Sequence, residues 1–154
     1  MDTDNSATPR YFEDYYPGET HEFGAITIDE TEMVEFAKRY DPQSFHVDRV
    51  AASTSAFGGI IASGWYSASV MMRMMVDHYI SPVAGLGSPG LQELKWLIPV
   101  RAGDRLHVKV KVLDSRISQS KPDRGLIRSK VELVRSDEEV VMSMISVGMV
   151  LRRK

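Results

Sequence analysis

The sequence has 154 residues and no cysteine, which allows one domain with its own core and excludes disulfides, thiolate nucleophiles and cysteine-based zinc sites. Hydrophobic residues make up 43% and charged residues 26%, and the formal net charge is -2. This charge argues against nucleic acid or an anionic membrane as the main partner.

The N-terminal segment, residues 1–10, is polar and acidic and predicts a flexible tail before a single domain over residues 11–154. It lacks the basic and apolar regions of a signal peptide. No run in the chain reaches the roughly 18 apolar residues of a transmembrane helix. We therefore expect a cytoplasmic protein without a membrane partner.

A short strand over 21–28 and then a helix begin the predicted domain. Asp29 is a suitable N-cap, with Glu32 three residues later as in a capping box. Apolar residues then recur at helical spacing up to Tyr40, and Pro42 disfavours helical geometry at Asp41. Asp48 is placed to cap a short second helix over 49–53.

A loop with three glycines, residues 57–64, leads into a long helix predicted over 65–79. Apolar side chains occupy most of the circumference of this helix, and Arg73 and Asp77 form its one clear polar stripe. Such a helix is expected to be buried on nearly all sides.

From Ser88 onward the apolar residues alternate with period two, which predicts four strands. The clearest are 106–112, 127–133 and 140–151, and the last is apolar at both parities, as in a central strand. The pattern as a whole indicates an α+β domain with an antiparallel sheet packed on helices.

The segment YDPQSFH, residues 40–46, carries the strongest chemical signal. It places Asp41 at a helix end and His46 five residues later, so a carboxylate and an imidazole can converge on one water as an acid–base pair. The negative end of the helix dipole is expected to oppose ionisation of Asp41. The alternative is structural, because Asp before Pro is a common turn initiator and a single His is often a core residue.

Gly64 lies where the glycine-rich loop meets the long helix. The backbone N–H groups at a helix start bind negative charge, and they could stabilise a thioester carbonyl as it acquires enolate character. The alternative is that Gly58, Gly59 and Gly64 only shape a tight turn. The remaining histidines, His21, His78 and His107, are dispersed and predict no metal site.

Four segments together resemble the MaoC-like dehydratases, a group that includes the (R)-specific enoyl-CoA hydratases. They are YDPQSFHVD (40–48), FGGIIASGW (57–65), SPGLQELKWLIPVRAGD (88–104) and SKPDRG (120–125). The resemblance runs from about Tyr11 to the C-terminus. The hydratases typically read Asp-x-Asn-Pro-x-His, where this chain has Gln43-Ser44, and often His-Gly where it has Ser63-Gly64.

The resemblance implies a hotdog fold, in which an antiparallel sheet wraps around a long central helix. It implies that Asp41 and His46 are catalytic and that the Gly64 amide faces the thioester oxygen. We expect Ser63, Gly59 and Phe57 of the same loop to belong to this oxyanion and substrate-binding region.

The function implied is a lyase of fatty acid metabolism that adds water reversibly to a 2-enoyl-CoA to give a 3-hydroxyacyl-CoA. Its partners would be an acyl-CoA or acyl carrier protein thioester and a second copy of the chain, as a homodimer or a dimer of dimers. No cofactor is expected, since coenzyme A is part of the substrate. The alternatives are a non-catalytic hotdog that binds acyl-CoA or supports a partner subunit, and a thioesterase, for which Asp77 is a poor candidate carboxylate.

Overall fold

The structure, a computed structural model, describes residues 9–154, so most of the predicted tail, residues 1–8, lies outside the described residues. Arg10, at the end of that segment, donates hydrogen bonds to the Asp14 carbonyl and to a Glu19 carboxylate oxygen. Its guanidinium also lies 4.0 Å from the centre of the Tyr15 ring. The chain is therefore anchored to the domain from Arg10 onward.

The helices and strands follow the predicted order. The helices are α1 (Glu30–Tyr40), α2 (Ser44–Val47), α3 (Arg49–Ser53) and α4 (Gly64–His78), preceded by a 3-10 turn at Phe12–Asp14. The strands are β1 (Thr20–Thr27), β2 (Gly90–Trp96), β3 (Arg105–Ile117), β4 (Arg124–Arg135) and β5 (Val140–Leu151). Within residues 9–154, the helices are too short or too polar to cross a membrane.

Caps define the helix starts as the sequence predicts. The Asp29 carboxylate accepts a hydrogen bond from the Glu32 N–H, and Asp48 accepts from the N–H groups of Val50 and Ala51. The one-turn helix α2 was not predicted, because a helix of only four residues is too short to show a helical repeat of apolar residues. It is closed by a bond from the Asp48 N–H to the Ser44 carbonyl.

All five strands form one antiparallel sheet in the order β1-β3-β4-β5-β2. β5 is paired on both sides, which explains why its sequence is apolar at both parities. α4 packs against one face of this sheet, so the predicted hotdog architecture is confirmed.

The main core lies between α4 and the sheet. Met71 and Met74 of α4 are 1% exposed and belong to the same cluster as Val108, Val110 and Leu133 of the strands.

The prediction that α4 is buried on nearly all sides is wrong. A single sheet covers only one side of a helix, and on the other side Trp65, Met72 and Val76 are 56%, 47% and 57% exposed. These three residues are the exposed apolar stripe of α4.

Candidate functional site

Asp41 and His46 meet as the sequence predicts. Asp41 is the C-cap of α1, and α2 turns the chain so that His46 Nε2 lies 3.3 Å from Asp41 Oδ2. The side chain of His46 is 6% exposed and that of Asp41 is 18% exposed. The pair is therefore shielded but still open to a small molecule through the carboxylate.

The imidazole of His46 has a fixed orientation. Its Nδ1 lies 2.8 Å from the backbone carbonyl of Ile61. A carbonyl oxygen only accepts hydrogen bonds, so Nδ1 carries a proton and donates it. Nε2 is consequently the ring nitrogen that faces the Asp41 carboxylate.

Both oxygens of the Asp41 carboxylate accept hydrogen bonds. The Ser63 hydroxyl donates to Oδ2 at 2.7 Å, and the Gln43 amide donates to Oδ1 at 2.8 Å. Burial alone raises the pKa of Asp41, but the bonds from Ser63 and Gln43 and the charge interaction with His46 outweigh it and hold this pKa below its ordinary value. The expectation that ionisation of Asp41 is disfavoured is therefore wrong, because the donors from Ser63 and Gln43 stabilise the ionised carboxylate.

Ser63 links the acid–base pair to the start of α4. It is 0% exposed, and as N-cap its hydroxyl also accepts a hydrogen bond from the Trp65 N–H at 3.3 Å. Gly64 follows as the first residue of the helix. Among the described residues, the N–H of Gly64 has no hydrogen-bond partner, so it is available to a bound acceptor.

Phe57 and Gly59 lie near the Asp41–His46 pair, and the Phe45 ring lies between Phe57 and His46. The Phe57 ring packs 5.1 Å from that of Phe45, which in turn lies 4.6 Å from the His46 ring. The Phe57 carbonyl accepts a hydrogen bond of 2.6 Å from Arg101, and Gly59 borders the same guanidinium. These two residues support the loop behind His46.

The glycines of this loop have different roles. Gly58 has φ +66°, a left-handed conformation that favours glycine, so at this position the tight-turn interpretation is sufficient. Gly64 has a different constraint, because the space beside its Cα is filled by the indole of Trp96.

An apolar cavity of about 230 Å³ lies beside the second half of α4. It is bounded by that helix, the segment after it and the inner face of the sheet. By helix rise its first α4 residue, Met72, lies about 12 Å from Gly64. Its α4 and sheet lining includes Met72, Met75, Leu91, Ile127, Ser129, Met144, Ser146, Gly148 and Val150.

Sequence reasoning missed three contributors to the site. Gln43, the Ile61 carbonyl and Arg101 all hold catalytic candidates or their loop in place. Gln43 could have been found, since a donor two residues after an aspartate is in reach of its carboxylate. The other two depend on contacts between segments far apart in sequence, which periodicity and spacing do not reveal.

Comparison with known proteins gives one family. Residues 14–134 match the family model described as MaoC like domain. The chain is 29% identical over 102 residues to Protein MaoC of Klebsiella aerogenes, covering 66% of this chain and 30% of that protein. It thus matches less than a third of the length of this curated relative.

Solved structures extend the similarity to the fold. A MaoC-like dehydratase from Rhodospirillum rubrum superposes with a TM-score of 0.85 and 34% identity, over 94% of this chain and 99% of that one. An R-hydratase from Pseudomonas aeruginosa superposes with a TM-score of 0.72 over 94% of this chain and 88% of that one. Its identity is 21%, so this second likeness concerns the fold alone.

Proposed function

The chain belongs to the MaoC-like domain family, and from that premise we propose that it is a hydratase or dehydratase of acyl thioesters. The reaction is the reversible addition of water to a 2-enoyl-CoA, giving a 3-hydroxyacyl-CoA. The observation that carries this proposal is the 3.3 Å contact between Asp41 and His46, with donors on both carboxylate oxygens.

The thioester carbonyl would be held at the start of α4. In this proposal the Gly64 N–H, which has no partner among residues 9–154, donates to the carbonyl oxygen. Negative charge develops on that oxygen when water adds at C3, and a positioned N–H at a helix start stabilises it. Ser63 keeps Gly64 close to the acid–base pair because its side chain contacts Asp41.

In this proposal Asp41 and His46 divide the proton transfers between them. The ionised Asp41 accepts a proton from the water whose oxygen bonds to C3, and His46 Nε2–H delivers a proton to C2. The proton then passes from Asp41 to His46 across their 3.3 Å contact, which restores both groups. These steps use only side chains of the chain, so we propose that no cofactor is required.

The acyl group would occupy the apolar cavity beside α4. The walls of this cavity are almost entirely apolar, as is usual for sites that bind hydrocarbon. Methionines Met72, Met75 and Met144 line it, and their unbranched side chains adapt to different ligand shapes.

We propose that two copies of the chain associate. β2 is an edge strand, and its backbone groups on the free side are open to pairing. The exposed apolar stripe of α4 and Leu91 of β2, which is 50% exposed, add apolar surface. A homodimer, alone or within a dimer of dimers, would cover both.

The alternatives fit less well. A thioesterase would need a carboxylate on the central helix, but Asp77 accepts a hydrogen bond of 2.9 Å from Arg73 at the surface. A non-catalytic binding domain would not need a carboxylate held in contact with an imidazole, as Asp41 and His46 are. The choice between coenzyme A and acyl carrier protein, and the cytoplasmic location, stay predictions.

The test is a hydration assay that follows loss of the enoyl absorbance band with 2-enoyl-CoA thioesters of increasing chain length. We expect turnover with at least one of them by the unmodified protein and its near loss in Asp41→Asn. Binding without turnover by the unmodified protein would instead support the non-catalytic alternative.

A further inference from the structure

Trp96, the last residue of β2, makes an unusual contact with the start of α4. Its indole Nε1 donates a hydrogen bond of 2.9 Å to the Gly64 carbonyl. A Cβ atom on Gly64 would lie 2.4 Å from Cε2, 2.5 Å from Nε1 and 2.8 Å from Cδ2 of the same indole. The indole therefore occupies the volume that a side chain at residue 64 would need.

Two independent constraints thus act on Gly64. The hydrogen bond restrains the direction of its carbonyl, and the indole limits movement of its Cα. The Ser63 cap, whose hydroxyl is bound to Asp41, holds the preceding peptide group. The Gly64 N–H belongs to the peptide group between Ser63 and Gly64, so Ser63 restrains it directly and Trp96 restrains it through the Gly64 Cα.

Trp96 is partly exposed in the single chain. It is 46% exposed although it lies on Gly64, and the ring of Trp65 stands edge-on to it at 5.1 Å. Because the indole also contacts Gly64, a molecule bound at the Gly64 N–H would lie near this partly exposed side chain.

From these contacts we propose that Trp96 is a positioning residue for the acyl-thioester site, which holds the Gly64 amide in the direction needed to bind the thioester oxygen. This inference rests on the proposed function for its chemical meaning. The contact between Trp96 and Gly64 can be tested without it.

The first test is a thermal unfolding cycle. We expect Gly64→Ala to lower Tm strongly, because the added Cβ meets the indole. Trp96→Ala removes the obstacle. The fall in Tm of the double variant should therefore be clearly smaller than the sum of the falls in the two single variants. Additive losses would overturn the claim that the indole determines the need for glycine at residue 64.

The second test is kinetic and uses Trp96→Phe, which keeps a ring but loses the N–H donor. We expect kcat for the best 2-enoyl-CoA to fall about fivefold to tenfold, as for one orienting hydrogen bond, with KM nearly unchanged. Lys111→Ala, at an exposed position of β3, a strand that is paired on both sides, serves as the control. An unchanged kcat in Trp96→Phe, or a loss that accompanies a change of oligomeric state in light scattering, would overturn the positioning role.

The third test reports binding independently of turnover. The chain has two tryptophans, so Trp65→Phe leaves Trp96 as the single indole emitter. Titration with crotonyl-CoA should change its emission and saturate. If no thioester is hydrated but the emission changes, the proposed reaction fails while the site assignment stands. If the emission does not change at saturating crotonyl-CoA, the assignment of Trp96 to the thioester site is wrong.

Discussion

The hydroxyl of Ser63 donates a 2.7 Å hydrogen bond to Oδ2 of Asp41, the same carboxylate oxygen that lies 3.3 Å from His46 Nε2. One oxygen thus contacts both a fixed donor and the ring nitrogen that faces it. Because Ser63 is also the N-cap of α4, the acid–base pair and the start of the helix are held as one unit.

Ser63→Ala should change the pH dependence of the reaction. Loss of this donor removes a contact that lowers the pKa of Asp41, so the pKa should rise toward its ordinary value. If ionised Asp41 is the base, the acid limb of the kcat/KM profile moves to higher pH. The lost cap should also cost about 1 kcal/mol of unfolding free energy.

Ser69→Ala is the control for this variant. Ser69 is an exposed residue of α4, and within residues 9–154 its hydroxyl bonds only to the Trp65 carbonyl. Its pH profile should match that of the unmodified protein. An acid limb that stays in place in Ser63→Ala would show that this bond does not tune the titrating group.

Asp41→Asn should lower turnover by about 10²–10⁴-fold, the range typical of general acid–base catalysis. Asparagine keeps the shape of the side chain and one acceptor oxygen, but it cannot accept the proton. Asp29→Asn is a matched control, because asparagine caps a helix as well as aspartate and Asp29 caps the start of α1, the end opposite Asp41. Near-normal turnover in Asp41→Asn, with Tm unchanged, would mean that the carboxylate is structural.

The effects of Asp41→Asn and His46→Gln should not add. Each variant alone breaks the same relay, so we expect the double variant to be about as slow as the slower single one. Single-turnover rates of the four proteins give the coupling directly. Losses that multiply would indicate that the two residues act in separate steps.

Much of the fold could be predicted from local signals. Asp29 and Asp48 mark helix starts through capping, and the alternation of β3 and β4 follows from one buried and one exposed face. Exposure of Met72 and Val76 could not be predicted, since periodicity shows that a residue is apolar but not which surface covers it.

The site was predictable only in part. Asp41 and His46 are close in sequence, so a turn between them suffices to bring them together. Ser63 and Trp96 meet their partners across 22 and 32 residues, contacts that depend on how α4 lies against α1 and β2. The ionisation of Asp41 was misjudged for the same reason, because its strongest donor comes from a distant segment.

A charge in the exposed apolar stripe of α4 should break the proposed dimer. Val76→Glu places a carboxylate where the interface would exclude water, which is costly for an unpaired charge. Light scattering at micromolar concentration should show a dimer-based species for the unmodified protein and a monomer for the variant. Thr31→Glu adds the same charge at an exposed position in the first turn of α1. It should leave the oligomeric mass measured by light scattering unchanged.

The last prediction concerns Gly148, which lines the apolar cavity from β5. It has the same strand parity as Met142 and Met144, which are buried on the inner face, so a side chain there should point inward. A Cβ at this position meets no atom within 4 Å, so the cavity can take a larger residue without a clash.

Gly148→Leu should therefore shorten the acyl chain that the protein accepts without unfolding it. Three added carbons beyond Cβ fill part of the 230 Å³ cavity, so long 2-enoyl-CoA thioesters lose room while crotonyl-CoA does not. We expect kcat/KM for the long substrates to fall at least about tenfold, since each buried methylene contributes roughly 0.8 kcal/mol. Gly148→Ala, which adds only a methyl group, should give a smaller shift in the same direction. Equal losses at every chain length, with Tm unchanged, would place the acyl group elsewhere, because filling its true pocket must discriminate by length.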